Sequence, residues 1–146
     1  VCEPQMKNIR IYRERDREQV LALWQECNLI RPKNDPQKDL DRKKGFGEDL
    51  FLVLEEKEKI IGTVMGGYDG HRGIINYLAV HPSFRNQGLG KMLMQAVETK
   101  LQDLGCPQVN LLVWSNNTDV LKFYKKTQYS EANDIVLLRK RLISDL

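Results

Sequence analysis

The chain has 146 residues, 41% hydrophobic and 29% charged, a length and balance that suit one globular domain with a real core and no need of disulfide or metal staples. Its 23 basic and 20 acidic residues leave a net charge of +3, a mixed surface rather than the clustered positive field of a nucleic-acid binder. Cys2, Cys27 and Cys106 are odd in number, far apart and without histidine neighbours that would complete a zinc set. No apolar run nears the roughly 20 residues of a membrane span, and no signal-like segment opens the chain, so a soluble protein of the reducing cytoplasm, without a metal, is expected.

In chain order, "VCEPQ" ahead of Met6 reads as an N-terminal extension over 1–5, leaving a single domain over 6–146. "NIRIYRE" alternates as a short strand with Ile9 and Ile11 on one face. It leads into "RDREQVLALWQECNL", where Asp16 and Gln19 make a capping box and Val20, Leu23, Trp24 and Cys27 recur at helical spacing. In "RPKNDPQKDLDRKK", Asp35 as N-cap and Pro36 at the first helical position predict a short, very polar surface helix. "LFLVLEE", "KIIGTVMGGYD" and "GIINYLAV" are three successive strands, an antiparallel meander with a hairpin tip near Asp69 to Gly73. Leu89, Met92, Leu93, Ala96, Val97, Leu101 and Leu104 then mark a long amphipathic helix stopped by Gly105 and Pro107. "VNLLVW" is the next strand, "NNTDVLKFYKK" a short helix with Val120, Phe123 and Tyr124 on one face, and "DIVLLRKRL" a closing strand. The order predicts an α/β (α+β) fold: one mixed, mostly antiparallel sheet with about four helices on its two faces, in which only the later β-α-β unit demands a parallel pair.

Between the third strand of the meander and the long helix lies "HPSFRNQGLGKMLM". Two glycines there suit a backbone that approaches phosphate at a helix N-terminus. A Walker loop is excluded because Met92 stands where the magnesium-binding hydroxyl belongs, and a dinucleotide fingerprint fails at Leu93, where a third glycine is needed. What remains is Arg85, Gly88 and Gly90 in R-x-x-G-x-G, whose successive amides can converge on a pyrophosphate without a metal.

"YLAVHPSFRNQGLGKMLM" resembles motif A of the GCN5-related N-acetyltransferases (GNAT), in which Q/R-x-x-G-x-G/A follows a splayed fourth strand and holds the pyrophosphate of acetyl-CoA. "LLVWSNNTDVLKFYKKTQY" resembles motif B of the same family through Asn117, Phe123 and Tyr124. The resemblance runs from about Asn8 to Arg141, and "GTVMGGYDGHRG" with "LIRPKNDP" is similar to the subgroup of small bacterial acetyltransferases called YpeA. It departs at Gln128, where motif B usually has glycine; if a positive φ is needed there, the helix exit must be rearranged.

The resemblance implies a GNAT domain with its sheet splayed at strand 4, acetyl-CoA as co-substrate and an amine acceptor. Backbone groups of Leu78, Ala79 and Val80 would hold the pantetheine arm and the thioester carbonyl, and the amides of Gln87, Gly88, Leu89, Gly90 and Lys91 the pyrophosphate. Tyr124 is the expected general acid for the departing thiolate, against the alternative of an amphipathic core tyrosine. Asn117 is expected at the pantetheine amide, or as the cap of the following helix, or both; Arg85 either helps hold phosphate or is a solvated turn residue.

The general base stays open. Asp69 and His71 lie at the hairpin tip, where an Asp-Gly turn explains the aspartate; Asn76, at the strand parity of Leu78 and Val80, would orient a water; Glu26 would face a cationic acceptor or plain solvent. Leu112 stands where similar ribosomal-protein N-terminal acetyltransferases carry a glutamate, which argues against that substrate class. His81 with Pro82 reads as a strand-ending turn, and Trp24 and Trp114 as core or edge packing. Neither motif holds a cysteine, so direct attack of the amine in a ternary complex is expected rather than an acetyl-cysteine. The alternative is a non-catalytic acyl-CoA sensor; a nucleic-acid partner is not expected, and exposed strand edges make a homodimer reasonable.

Overall fold

A computed structural model describes residues 7–146, so the extension expected over 1–5 lies outside the described residues. Five strands, β1 (Lys7–Ile11), β2 (Phe51–Glu56), β3 (Lys59–Tyr68), β4 (Gly73–Val80) and β5 (Val109–Leu111), form one sheet in chain order. The pairs from β1 to β4 are antiparallel, and β5 returns parallel to β4 after a helical crossover. The helices are α1 (Arg17–Glu26), α2 (Pro36–Lys43), α3 (Leu89–Asp103) and α4 (Thr118–Lys126). Mixed sheet and helix number are those expected, and so is the element order as far as α4. Among the described residues no helix is long and apolar enough to cross a membrane.

Both faces of the sheet are covered, which is why β2 reads as an unbroken apolar run. Leu52 and Leu54 join Leu93, Val97 and Leu101 of α3 and Tyr124 of α4 on one face. Phe51 and Val53 join Val20, Leu23 and Trp24 of α1 and Leu40 of α2 on the other. Helix α3 presses hard on β3: a Cβ on Gly66 would lie 2.6 Å from Val97 Cγ2. Glycine at that position is therefore a packing requirement.

Three local expectations are corrected. Asp16 and Gln19 do not form the capping box: Asp16 is drawn to Arg10, whose Nη1 and Nη2 donate at 2.8 and 2.9 Å, while Gln19 Oε1 accepts from the Ile60 amide at 2.9 Å. Asp16 turns back to the preceding turn, where its carboxylate also accepts from the Arg13 amide at 2.8 Å, and only Gln19 is taken by a partner distant in sequence. "DIVLLRKRL" does not form a closing strand; Ile135, Val136, Leu137 and Leu138 run exposed. Strand β5 stops after three residues and offers little edge to pair with, and the tail is pinned instead by Asp145, which accepts from the Asp35 amide at 2.8 Å and Arg42 Nη2 at 2.6 Å. Finally, the exit of α4 is not rearranged at Gln128. That residue adopts φ 74°, with Gln128 N donating to Lys125 O and Tyr129 N to Tyr124 O, so the glycine-type turn is kept with a strained side chain in it.

Candidate active site

Strands β4 and β5 pair only at Gly73 with Val109, Ile74 with Asn110 and Ile75 with Leu111. Beyond Ile75 the strands part, and an open cleft of about 630 Å³ lies between residues 75–78 and 111–114. The cause is visible in the register of β4 on β3. Met65 faces Asn76 but Thr63 faces Ala79, so Tyr77 and Leu78 together oppose Val64 as a bulge. Tyr77 has φ 51°, a left-handed backbone that costs a bulky residue about 1–2 kcal/mol.

Neighbours on the α1 side hold that conformation. The Trp24 indole stacks on Tyr77 with ring centroids 3.7 Å apart and planes 8° from parallel. Trp24 Nε1 donates to Thr63 Oγ1 at 2.9 Å, and Thr63 Oγ1 donates to the Tyr77 carbonyl at 2.8 Å. One consequence is a change of face along β4. Ile75, Leu78 and Val80 pack toward α3, while Tyr77 and Ala79 pack toward α1. Asn76, opposite to Ile75 in the pleat, therefore does not share the face of Leu78 and Val80 as expected, although it lines the cleft.

Tyr124 lies on the cleft floor, 9% exposed, and burial pushes its hydroxyl up to about 12. Among the described residues that hydroxyl has no hydrogen-bond partner, while the rings of Phe123 and Tyr129 meet its ring edge-on. It is a neutral donor aimed at open space. Asn117 caps α4, its side chain accepting from the Val120 amide at 3.4 Å, and its side chain also borders the cleft.

At the N-terminus of α3, Gly88 has φ 75° and a Cβ there would meet nothing within 4 Å. Among the described residues none of the amides of Gln87, Gly88, Leu89, Gly90 and Lys91 donates to a protein acceptor. Free amides, the positive end of a 15-residue helix and open space coincide, which fits an anionic group approaching the backbone. Leu89 is buried and so offers only its amide. Gly90 serves another end: a Cβ there would sit 3.2 Å from Phe123 Cζ, so its smallness lets α4 dock on α3. Arg85 folds back, Nε donating to the Val80 carbonyl at 3.1 Å, where Cys27 Sγ also donates at 3.4 Å. Burial pushes that thiol up, so it stays protonated as a donor. Lys91 and Gln87 point into solvent.

The hairpin-tip candidates for a base, and with them Glu26 and the turn residue His81, lie elsewhere. Asp69 Oδ1 accepts from the amides of His71 and Arg72 at 2.7 Å each and so closes the hairpin; Glu26 is exposed; His81 Nδ1 accepts from the Ser83 amide and shapes the turn after β4. None of the four borders the cleft, and Leu112 does. Trp24 is core, whereas Trp114 lines the cleft. Sequence reading missed Asp39, whose Oδ2 accepts from Tyr77 Oη and from Asn34 Nδ2, both at 2.6 Å, on the cleft wall. The contact to Tyr77 spans 38 residues and leaves no local pattern. A polar residue on the inner side of α2, next to the buried Leu40, was the only signal.

The pattern of the acetyltransferase (GNAT) family matches residues 17–129. An acetyltransferase of Pectobacterium atrosepticum is 49% identical over 94% of this chain and 96% of its own length, and one of Sodalis glossinidius is 46% identical over the same shares. Among solved structures, an aminoglycoside N-acetyltransferase, AAC(6')-Iy, in complex with CoA superposes with a TM-score of 0.75 over 97% of this chain and 99% of that one, at 20% identity, which speaks to the fold alone. A matched pattern over most of the chain, together with relatives near half identity along nearly its whole length, places it: the protein belongs to the GNAT acetyltransferase family and is an acyltransferase by that membership.

Proposed function

We propose that the protein transfers the acetyl group of acetyl-CoA to a primary amine by direct attack in a ternary complex, as a member of the YpeA-like subgroup. The observation that carries this reading is the coincidence, in one cleft, of the diverging β4 and β5 edges, the unpartnered Tyr124 hydroxyl and, one helix contact away, the free amides at Gly88. The pyrophosphate would lie on the amides of Gln87 to Lys91, with the pantetheine arm along Leu78 to Val80 and past Asn117. Arg85 and Cys27 act on the strand itself, through the Val80 carbonyl.

In the transfer, the neutral amine nitrogen attacks the thioester carbon, the new N–C bond forms and the C–S bond breaks. The nitrogen sheds its proton to water, and the sulfur takes one from the Tyr124 hydroxyl, which solvent then restores. A hydroxyl held protonated up to about 12 keeps that proton at every physiological pH. Calorimetric titration with acetyl-CoA and with coenzyme A, run beside thiol release over a panel of amines, tests the reading. Binding with acceptor-dependent thiol release is expected. Absence of acetyl-CoA binding would overturn the site, and binding without release for any amine would favour a sensor.

A further inference from the structure

The acceptor end of the cleft carries two features that the transfer chemistry does not use. The first is Asp39 on α2. Its Oδ2 is fixed by Tyr77 Oη and Asn34 Nδ2 at 2.6 Å, and Asn34 Nδ2 also donates to Tyr77 Oη at 3.0 Å. Its Oδ1 has only a distant neighbour, Arg42 Nη1 at 3.7 Å, and that guanidinium is already held by Asp145 at 2.6 Å. A carboxylate locked in orientation on a cleft wall, with one oxygen left over, is an acceptor for a cationic donor.

The second feature is an excess of positive charge with no counter-ion. Arg31 lies over the Trp114 ring with its guanidinium carbon 5.3 Å from the centroid, and Arg139 lies over the same ring at 5.8 Å. Arg10, Arg17, Arg42 and Arg141 each have a carboxylate within ion-pair distance; among the described residues Arg31 and Arg139 have none. Two like charges on one indole at the edge of a cleft repel each other unless an anion joins them. Arg31 and Trp114 line the same cleft as Asp39. The cleft therefore offers one fixed carboxylate, Asp39, flanked by Arg42 and by Lys43, whose ammonium is held by the Gly66 carbonyl, and, at its Trp114 wall, Arg31, which shares that ring with Arg139 and has no carboxylate partner among the described residues.

Resting on the acetyl-transfer reading above, we propose that the acceptor is an amphoteric primary amine, with its ammonium recognised by Asp39 and an acidic group on the same molecule recognised by Arg31 and Arg139 over Trp114. A polycationic amine does not fit, because its second charge would meet the two arginines.

The test uses matched pairs that differ only by the acid: L-lysine against cadaverine, and O-phosphoethanolamine against ethanolamine. Each is titrated into the protein, with and without acetyl-CoA, while tryptophan emission is followed; the buried Trp24 supplies the background, and Trp114→Phe assigns the response. The acid-bearing member of at least one pair should give a saturable change that its partner lacks, with kcat/KM for thiol release higher by about 10-fold or more, the worth of one charge-assisted contact. Whether lysine or phosphoethanolamine responds tells a carboxylate from a phosphate. Arg31→Ala should bring the two members of the pair together, and Asp39→Asn should raise KM for the amine by about 10-fold while acetyl-CoA affinity is kept. Equal responses within both pairs, a stronger response to the amine without the acid, or a preference that survives Arg31→Ala would overturn the proposal. Loss of acetyl-CoA binding itself would overturn the transfer reading, and the emission titration without acetyl-CoA would still decide this one.

Discussion

Removing one oxygen atom from Tyr124 separates its role in chemistry from its role in packing. The ring is 9% exposed and held edge-on by Phe123 and Tyr129 at centroid distances of 5.2 and 5.7 Å, contacts that phenylalanine keeps. The hydroxyl has no hydrogen-bond partner among the described residues, so Tyr124→Phe breaks no bond within the fold. It relieves a largely desolvated polar group, which protein data place at about 1–3 kcal/mol when nothing compensates. Since the hydroxyl reaches the cleft, the low end applies: the variant is expected to be equal in stability or more stable by about 1 kcal/mol, a rise of about 3 °C in Tm for a chain of this size. Activity should move the other way. A positioned general acid contributes about 100-fold or more, so kcat should fall by about that factor with acetyl-CoA affinity nearly unchanged.

The same variant has a signature at alkaline pH. Folded Tyr124 holds its proton up to about 12, whereas the unfolded chain releases it near 10, so the stability linked to this group is complete below about pH 10 and declines as pH rises toward 12. Tyr12, Tyr77 and Tyr129 shift in the same direction, and Tyr124→Phe should therefore soften the alkaline loss without abolishing it. Thermal denaturation across pH 8 to 12, beside single-turnover thiol release, reads both effects. An unchanged rate would remove Tyr124 from the acid role, and a clear drop in Tm at neutral pH would show that the hydroxyl has a structural partner.

Gln128→Gly should stabilise the protein by about 0.5–1 kcal/mol, since a left-handed residue costs about 1–2 kcal/mol and glycine's extra chain entropy returns about 0.5–1 of it; a denaturant midpoint that does not rise would refute the strain. Gly88→Glu is expected to fold yet lose acetyl-CoA binding in calorimetry, because the open space above the free amides would be filled by a like-charged side chain; normal binding by the folded variant would misplace the phosphate cradle. Thr63→Val should cost about 2–4 kcal/mol by chemical denaturation, as it strips the partner from both the buried Trp24 N–H and the Tyr77 carbonyl; a loss under 1 kcal/mol would show that the Tyr77 backbone does not depend on this relay.

The elements from Lys7 to Lys126 were legible because hydrophobic period and punctuation are local: alternation in the strands, Pro36 after Asp35, and Gly105 at the end of α3. The fold family was legible because two motifs kept both order and spacing. What failed was decided by partners outside the segment in which each pattern was read. Asp16 had a sound local role as a cap for α1, but its carboxylate goes to the Arg13 amide and to Arg10, which is itself anchored to Glu55 at 2.6 Å across the sheet. "DIVLLRKRL" has strand composition, but pairing needs an edge, and β5 ends too soon to supply it. The bulge at Tyr77 reversed the face of Asn76, and no period within "GIINYLAV" announces a bulge set by an indole 53 positions earlier. Separation in sequence likewise hid Asp39, whose contact to Tyr77 spans 38 residues and puts a carboxylate on the cleft wall.

The two glycines of "RNQGLGK" look equivalent in sequence and are not so in space. Gly88 is needed for its backbone: a positive φ, free amides around it and nothing within 4 Å of a Cβ leave room for a ligand. Gly90 is needed for its neighbour, because Phe123 fills the space a side chain would take. That contact ties α3 to α4, and Tyr124 is the next residue along α4. The helix whose N-terminus would hold the phosphates thereby also sets where Tyr124 stands, so a larger residue at 90 would displace the proposed acid while leaving the amides of Gly88 intact. The proposed cradle and the proposed acid are separate pieces of chemistry on separate helices, and a single missing methyl group at Gly90 lets those helices dock.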